Sequence, residues 1–142
     1  MTDIETARAG LAGHTLCICR DGQCLYSDKR GIAPMMEWFA QGKDLRGYAA
    51  ADRIVGRAAA FLFVRGGVTA VYAGVLSTGG KAVLEAHGIP VTYDTLTDRI
   101  INRRGDDICP MEKAVADARD PEEAYGRLAA ALCAMAAGQG NG

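Results

Sequence analysis

The sequence predicts one α/β domain, and three observations between Asp52 and Gly88 predict it. The segment from Asp52 to Gly66-Gly67 is apolar around most of a helical circumference, which is typical of a buried helix. Val68 to Leu76 is rich in β-forming residues and predicts a central strand that is covered on both faces. A second helix is predicted from Ser77 to Gly88. A buried strand between two helices indicates a right-handed crossover unit.

Polar residues are predicted to begin both central helices. The Asp52 carboxylate is expected to cap the free N–H groups of the first helix, and Ser77 or Thr78 those of the second. Gly66-Gly67 and Gly88 are expected to end these helices. Both helix starts can point to the same edge of the sheet. Their unpaired N–H groups and positive dipole ends therefore predict an anion site there.

The segment before Asp52 predicts a helix, a hairpin and a second helix. Asp3 to Leu11 forms the first helix, and Thr15 to Ser27 forms a hairpin that turns at Asp21-Gly22. Pro34 begins a helix that runs to about Gln41 and carries two methionines, a tryptophan and a phenylalanine. This helix either packs on the core or forms a lid or dimer contact, because methionine and tryptophan suit adaptable surfaces.

The segment after Gly88 predicts a strand and two further helices. Val91 to Leu96 is the strand, and Thr97 to Arg104 is polar and basic. Cys109-Pro110 then opens a helix in which Glu112 completes a capping box. The last helix begins at Asp120-Pro121, with its buried face marked by Ala124, Leu128, Leu132 and Met135. Residues 1–137 are predicted to form one domain, and residues 138–142 a flexible tail.

Composition excludes several classes of partner. The chain has 142 residues, a net charge of −1 and 49% hydrophobic residues, enough for a core. It has no basic stripe, so nucleic acid is not an expected partner. No apolar run reaches the roughly 20 residues that span a bilayer, and MTDIETARAG is unlike a signal peptide. The expected location is cytoplasmic, without a membrane partner.

The five cysteines are predicted to be free thiols, and no metal or other cofactor is predicted. Their number is odd, none forms a CxxC pair, and the expected compartment is reducing. The two histidines, His14 and His87, are isolated, and no group of residues has metal-ligand spacing. The cysteines of the hairpin, Cys17, Cys19 and Cys24, are interpreted as small buried apolar residues.

Several motifs carry a family resemblance. GIAPMMEW, AADRIVGRAAA, VYAGVLS and IINRRGDDICPME, in this order, resemble the domain of unknown function 1893 family. The resemblance covers about Leu16 to Val115, and that family is similar in fold to cytidine deaminases. It implies a three-layer α/β sandwich with a mixed central sheet. The family has no agreed activity.

The residues that would bind zinc in a deaminase are missing. Zinc deaminases carry H-x-E at the start of one helix and P-C-x-x-C at the start of the next. This chain has Asp52-Arg53-Ile54 at the first position, and Ser77 and Gly80 where the two thiolates would lie. Without these ligands a zinc-bound hydroxide cannot form. The chain is therefore not expected to be a zinc-dependent deaminase or to bind stoichiometric zinc.

The same helix starts are predicted to bind a nucleotide or a similar phosphorylated ligand. The candidate ligand-binding residues are Asp52, Arg53, Arg57, Ser77, Thr78, Asn102 and Arg103. The alternative is that Asp52 and Ser77 are only helix caps.

Two other functions stay open. In the first, Cys109 or Asp52 acts as a nucleophile on a nucleotide-like substrate. A thiol at a helix start is expected to have a lowered pKa and to be the most reactive of the five; the alternative is that Cys109 is a structural cap. In the second, the chain is a protein-interaction domain held together by the helix at 34–41, with homo-oligomer formation left open.

Overall fold

The computed structural model describes residues 2–101 and 104–140, the last four as backbone only. Within these ranges the chain forms six helices and five strands. In chain order they are α1 Asp3–Gly10, β1 Leu16–Arg20, β2 Gln23–Ser27, α2 Ala33–Ala40, β3 Ala49–Val55, α3 Arg57–Gly66, β4 Ala70–Ser77, α4 Thr78–Ala86, β5 Val91–Thr97, α5 Pro110–Ala114 and α6 Pro121–Gly140.

The strands form one mixed sheet in the order β2-β1-β3-β4-β5. β1 is antiparallel to both β2 and β3, whereas β3, β4 and β5 are parallel. Because α3 joins β3 to β4 and α4 joins β4 to β5, these helices begin at the carboxyl ends of the two most central parallel strands. The predicted α/β class and mixed sheet are confirmed.

Asp52 lies inside β3, so the prediction that it begins a helix is wrong. It pairs with Leu16 on one side and Ala73 on the other. The helix begins five residues later, at Arg57, with Gly56 as its N-cap. Short apolar runs do not distinguish a helix from a strand. Pairing of residues 49–55 with two neighbouring strands settles that ambiguity in favour of β structure.

Two hydrophobic clusters pack against the sheet. The smaller one joins α1 to the sheet and contains Ala7, Leu11, Cys17, Cys19, Ala51 and Tyr72. The larger one contains most of the other buried side chains, including Met35 and Trp38 of α2, which are 2% and 9% exposed. Of the two interpretations of α2, packing on the core is therefore the one observed. This burial leaves Met35 and Trp38 with little surface for a partner.

Local sequence signals define the hairpin and α4 as predicted. Asp21 and Gly22 both have positive φ, 51° and 81°, which suits the two-residue turn between β1 and β2. Gly88 takes a left-handed φ of 73° after α4. The N–H of Ile89 then donates to the carbonyl of Leu84 at 2.9 Å. These contacts satisfy the polar backbone groups that the helix end leaves free.

Cys19 and Cys24 form a disulfide, so the prediction of free thiols is wrong for these two residues. The tight turn pairs them directly across β1 and β2. Because side chains opposite one another in an antiparallel pair lie on the same face, the hairpin itself brings the two sulfurs together. Cys17, Cys109 and Cys133 are free.

The C-terminal helix differs from the prediction in two ways. Ala124 and Leu128 are fully buried, but Met135 is 41% exposed and does not continue the buried face. α6 also runs to Gly140, three residues into the segment predicted as a tail. Residues 141–142 lie outside the described ranges.

Among the residues that the structure describes, no helix is long and apolar enough to cross a membrane.

Candidate functional site

The starts of α3 and α4 meet at one edge of the sheet. A Cβ atom added to Gly80 in the first turn of α4 would lie 2.9 Å from the backbone carbonyl of Gly56, the N-cap of α3. Such a contact is too short for a side chain, so glycine permits this approach. The convergence is the geometry that the predicted anion site requires.

An internal carboxylate occupies the start of α3. Glu112 accepts hydrogen bonds from the backbone N–H groups of Arg57 and Ala58, both at 2.7 Å. A Cβ atom on Gly56 would overlap the Glu112 carboxylate. Burial raises the pKa of Glu112, and the two N–H bonds partly oppose that shift. The anion that α3 attracts is therefore supplied by α5.

This arrangement replaces the predicted capping box. The side chain of Cys109 makes no capping hydrogen bond at α5, and its N–H donates to the carbonyl of Ile100 at 2.9 Å. The spacing of Cys109 and Glu112 fits a capping box, but Glu112 reaches a helix 55 residues away. A local motif could not reveal that long-range contact.

Arg57 is held within the fold. Its Nε and Nη2 donate to the carbonyls of Val115 and Ala118, both at 2.8 Å. Its guanidinium also lies 4.9 Å from the centre of the Phe61 ring. Arg57 therefore joins α3 to the segment between α5 and α6, and little of it is free for an external phosphate.

Ser77 and Thr78 act as local structural groups. Ser77 is 2% exposed, and its Oγ accepts the N–H of Gly80 at 2.9 Å. Thr78 Oγ1 donates to the carbonyl of Asp98 at 3.2 Å. The capping interpretation of Ser77 is confirmed. Asn102 and Arg103, the other predicted ligand-binding residues, lie outside the described residues.

Asp52 is a buried acid, 9% exposed. Burial raises the pKa of Asp52 from 3.8 to about 7, and the nearby backbone N–H groups of Ile54 and Arg53 only partly oppose this shift. With α3 starting after Gly56, the residues at the start of this helix are Gly56-Arg57-Ala58. None of their side chains is a metal ligand.

Arg53 points to a different part of the molecule. Its Nε donates to the carbonyl of His14, and it lines a groove of about 510 Å³ beside α1. We call this the α1 groove. Its lining residues are Arg8, Leu11, Ala12, Arg53, Tyr72, Gly74, Val75, Asp94 and Thr95. Arg53 and Arg57, which were predicted to act together, therefore make separate sets of contacts.

The polar groups of the α1 groove form a connected set. Tyr72 donates its hydroxyl proton to Asp94 at 2.5 Å, and the adjacent carboxylate raises the pKa of Tyr72. The Arg8 guanidinium lies 4.4 Å from the centre of the Tyr72 ring and 3.7 Å from Asp94. The Arg8 and Asp94 side chains are 60% and 59% exposed. A ligand in the groove would therefore meet cationic, anionic and aromatic groups together.

Sequence reasoning missed most of this groove. Arg8, Tyr72 and Asp94 come from three separate segments and belong to no local motif. Gly74 matters because a Cβ atom there would lie 2.7 Å from the carbonyl oxygen of Arg53. Glycine at this position permits the close approach of the Arg53 backbone beside the groove.

Three cysteine sulfurs form the only group of potential metal ligands found among the described residues. The Sγ atoms of Cys17, Cys19 and Cys24 lie within 4.8 Å of one another. Cys17 and Cys19 are fully buried and their sulfurs are 3.7 Å apart. Neither Cys109 nor Asp52, the predicted nucleophiles, belongs to this group or lines the α1 groove.

Comparisons with known proteins agree on one family. The family model described as "TM1506: Domain of unknown function (DUF1893)" matches residues 11–132. The fold is similar to the 2.70 Å crystal structure of a DUF1893 family protein, TM1506, from Thermotoga maritima. The two sequences are 25% identical, the TM-score is 0.77, and the match covers 85% of this chain and 82% of that chain. No curated protein matches this chain.

Proposed function

This chain belongs to the domain of unknown function 1893 family, and we propose that it binds an anionic, nucleotide-like small molecule in the α1 groove. The observation that carries the proposal is the grouping of Arg8, Arg53, Tyr72 and Asp94 around an open volume of about 510 Å³. Pockets for small ligands combine apolar walls with a few polar groups that fix orientation, and this groove has both.

The polar groups suit different parts of a nucleotide. Guanidinium groups favour phosphate because their N–H donors match its oxygens. Arg53 uses its Nε internally, so its two terminal nitrogens are the groups we assign to phosphate. Asp94 repels phosphate but accepts hydrogen bonds, which suits a ribose hydroxyl or a base amino group. Leu11 and Val75 supply apolar wall for the base.

The convergent helix starts are less suited to the same ligand. An anion that binds the first turn of α3 must displace the Glu112 carboxylate from two N–H groups. It must also draw Arg57 away from two carbonyls. The first displacement leaves a partly buried charge without partners, which is costly. Because an external anion would have to compete with Glu112 for these N–H groups, the α1 groove is favoured over the helix starts predicted from the sequence.

A cytidine deaminase-like, three-layer arrangement remains part of the proposal. It is supported by helices that follow β3 and β4 and begin side by side at one edge of a mixed sheet. In this proposal the Glu112 carboxylate, which accepts two N–H groups at the start of α3, takes the place of a metal there. The binding function proposed here uses no metal at that edge.

The nucleophile hypothesis has less support. Cys109 and Asp52 line neither the α1 groove nor the smaller cavity of about 180 Å³ beside Arg57 and Phe61. A nucleophile must touch its substrate within a near-attack distance. We therefore propose a binding module, with the cytoplasm as its expected location.

The test is a thermal-shift screen of the full chain against nucleotides and phosphorylated sugars. A ligand that binds only the native state raises the melting temperature. For a hit, Arg53→Gln is expected to weaken binding about 10-fold or more, because one charge-assisted contact contributes roughly 1.5–3 kcal/mol. Arg30→Gln, which removes an exposed arginine outside the groove, is the matched control and should leave Kd unchanged.

Two results would contradict the proposal. The first is that no nucleotide or phosphorylated sugar shifts the melting temperature at millimolar concentration. The second is that Arg53→Gln binds the hit as tightly as the parent while a folded Arg57→Gln does not. That outcome would return the site to the helix starts.

A further inference from the structure

We propose that the three cysteines of the first hairpin bind one zinc ion when the Cys19–Cys24 disulfide is reduced. We call Cys17, Cys19 and Cys24 the hairpin thiols. None of them lines the α1 groove, although Leu11 and Tyr72 border both the groove and the cluster that contains Cys17 and Cys19. The proposal replaces the expectation, drawn from cysteine spacing, that the chain holds no metal.

The strand register places the three sulfurs on one face of the sheet. Cys17 and Cys19 are two residues apart in β1, so their side chains leave the strand on the same side. Cys24 lies directly opposite Cys19 in β2 and shares that side. Cys17 and Cys19 belong to the smaller hydrophobic cluster beneath α1, and the partly buried Cys24 packs against it.

The spacing of the sulfurs fits metal coordination. Zinc–sulfur bonds of about 2.3 Å put tetrahedral thiolates roughly 3.8 Å from one another. The sulfurs of Cys17 and Cys19 are already 3.7 Å apart. The third sulfur lies within 4.8 Å of both. Once the disulfide opens, only Cys24 has to move away from Cys19, and it lies on an edge strand with one neighbour.

Charge favours zinc over a monovalent soft metal. Three thiolates and Zn²⁺ leave a net charge of −1, whereas three thiolates and Cu⁺ leave −2. A buried dianion without a partner costs more free energy than a buried monoanion. Among the described residues no histidine or carboxylate joins the three cysteines. Water is therefore the fourth ligand, reaching the ion from the half-buried side of Cys24.

α1 covers the side of the hairpin thiols that lies opposite the solvent-accessible side of Cys24. A Cβ atom added to Gly10 would lie 2.8 Å from the sulfur of Cys17 and 3.1 Å from the ring of Tyr26. The helix backbone thus lies directly against the cluster. Cys17 and Cys19 are fully buried, which limits exchange of a bound ion with solvent.

Reduction precedes binding. A dithiol reductant of the thioredoxin class gives two electrons and two protons to the Cys19–Cys24 bond and becomes a disulfide itself. The two new thiols and the thiol of Cys17 then release three protons and form three zinc–sulfur bonds. In a reducing compartment, which is the location expected from the sequence, the three thiols are the favoured state and are available to bind the ion.

The experiment compares the reduced and oxidised forms of the untagged full chain. Each form is titrated with Zn²⁺ alone against a chromophoric chelator, after the reductant has been removed. The reduced protein is expected to take up one equivalent, and the oxidised protein at least 10-fold less at the same free zinc. This comparison needs no substitution and so does not depend on a variant that folds.

Variants then locate the site. Cys24→Ser is expected to weaken zinc binding at least 10-fold, whereas Cys133→Ser, which removes an exposed cysteine on α6, should leave it unchanged. Cobalt replaces zinc as a spectroscopic probe, and its thiolate charge-transfer band should appear in the Cys133→Ser protein and be lost in Cys24→Ser. The proposal is overturned if the reduced parent binds no zinc, if both redox forms bind equally, or if only Cys133→Ser loses the metal.

Discussion

The carboxylate of Glu112 accepts a hydrogen bond from the backbone N–H of Arg57 at 2.7 Å, across 55 residues of sequence. A second oxygen accepts the N–H of Ala58 at the same distance. The free donors of a helix start are satisfied by a carboxylate from another helix. The N–H groups that sequence analysis assigned to an external anion are therefore already occupied by a carboxylate of the same chain.

Glu112→Ala should destabilise the protein by about 1–3 kcal/mol, because two N–H groups of α3 lose a charged acceptor. Urea unfolding measures the effect. Glu85→Ala removes an exposed carboxylate paired with Lys81 and is the matched control, expected to cost less than about 1 kcal/mol. Equal destabilisation by the two variants would show that the carboxylate of Glu112 is not a structural cap.

Gly56→Ala should be destabilising chiefly through Glu112, whose carboxylate lies where the new Cβ atom would be placed. The cost of Gly56→Ala should therefore be smaller in the Glu112→Ala background. A double-mutant cycle by urea unfolding measures this coupling, expected to exceed about 0.5 kcal/mol. Strict additivity would mean that the two residues do not share the space.

Asp52 should make the protein less stable as the pH rises from about 4 to about 7. Its pKa is about 7 when folded and 3.8 ordinarily, so the folded protein holds the proton more tightly than the unfolded chain. The stabilisation is full below the ordinary pKa and is lost as the pH approaches 7. Each pH unit corresponds to about 1.4 kcal/mol, so the full effect is a few kcal/mol.

Asp52→Asn should flatten this pH dependence, as measured by urea unfolding between pH 4 and 8. Asp44→Asn is the control, because the hydrogen bond from Arg46 lowers the pKa of Asp44 and confines its influence to more acidic pH. A parent protein whose stability is constant or rises from pH 4 to 7 would contradict the burial of this acid.

Thiol reactivity should follow exposure rather than helix position. Cys133 is exposed, Cys109 is half-buried, and burial raises the pKa of the Cys17 thiol. Limited alkylation near neutral pH, followed by peptide mapping, should label Cys133 first and Cys17 last. Labelling of Cys109 before Cys133 would restore the reactivity that sequence analysis predicted for Cys109.

Local chemistry made part of the fold predictable. Asp21-Gly22 specified the hairpin, and Ser77 with Gly88 bounded α4, because each signal acts within a few residues. The start of α3 was misplaced since residues 49–55 are apolar enough for either structure, and only pairing with β1 and β4 decides. Long-range pairing is not visible in a single sequence.

The candidate sites also differ in whether local sequence signals could have revealed them. The hairpin thiols could have been found, because a two-residue turn at 21–22 fixes Cys24 opposite Cys19 by simple register. The α1 groove could not have been found from the sequence, because Arg8, Tyr72 and Asp94 come together only when α1 packs beside β4 and β5. Glu112 was identified as a capping residue, but the helix that it caps was not.

The position of the bound ligand tests the central claim most directly. Isotope-labelled protein is titrated with the strongest hit of the nucleotide screen, and changes in backbone amide chemical shifts are mapped. We predict the largest changes at Gly74, Val75 and Thr95, which line the α1 groove. The largest changes at Ala58, Gly79 and Gly80, with Gly74 and Thr95 unaffected, would contradict the account and put the ligand at the helix starts.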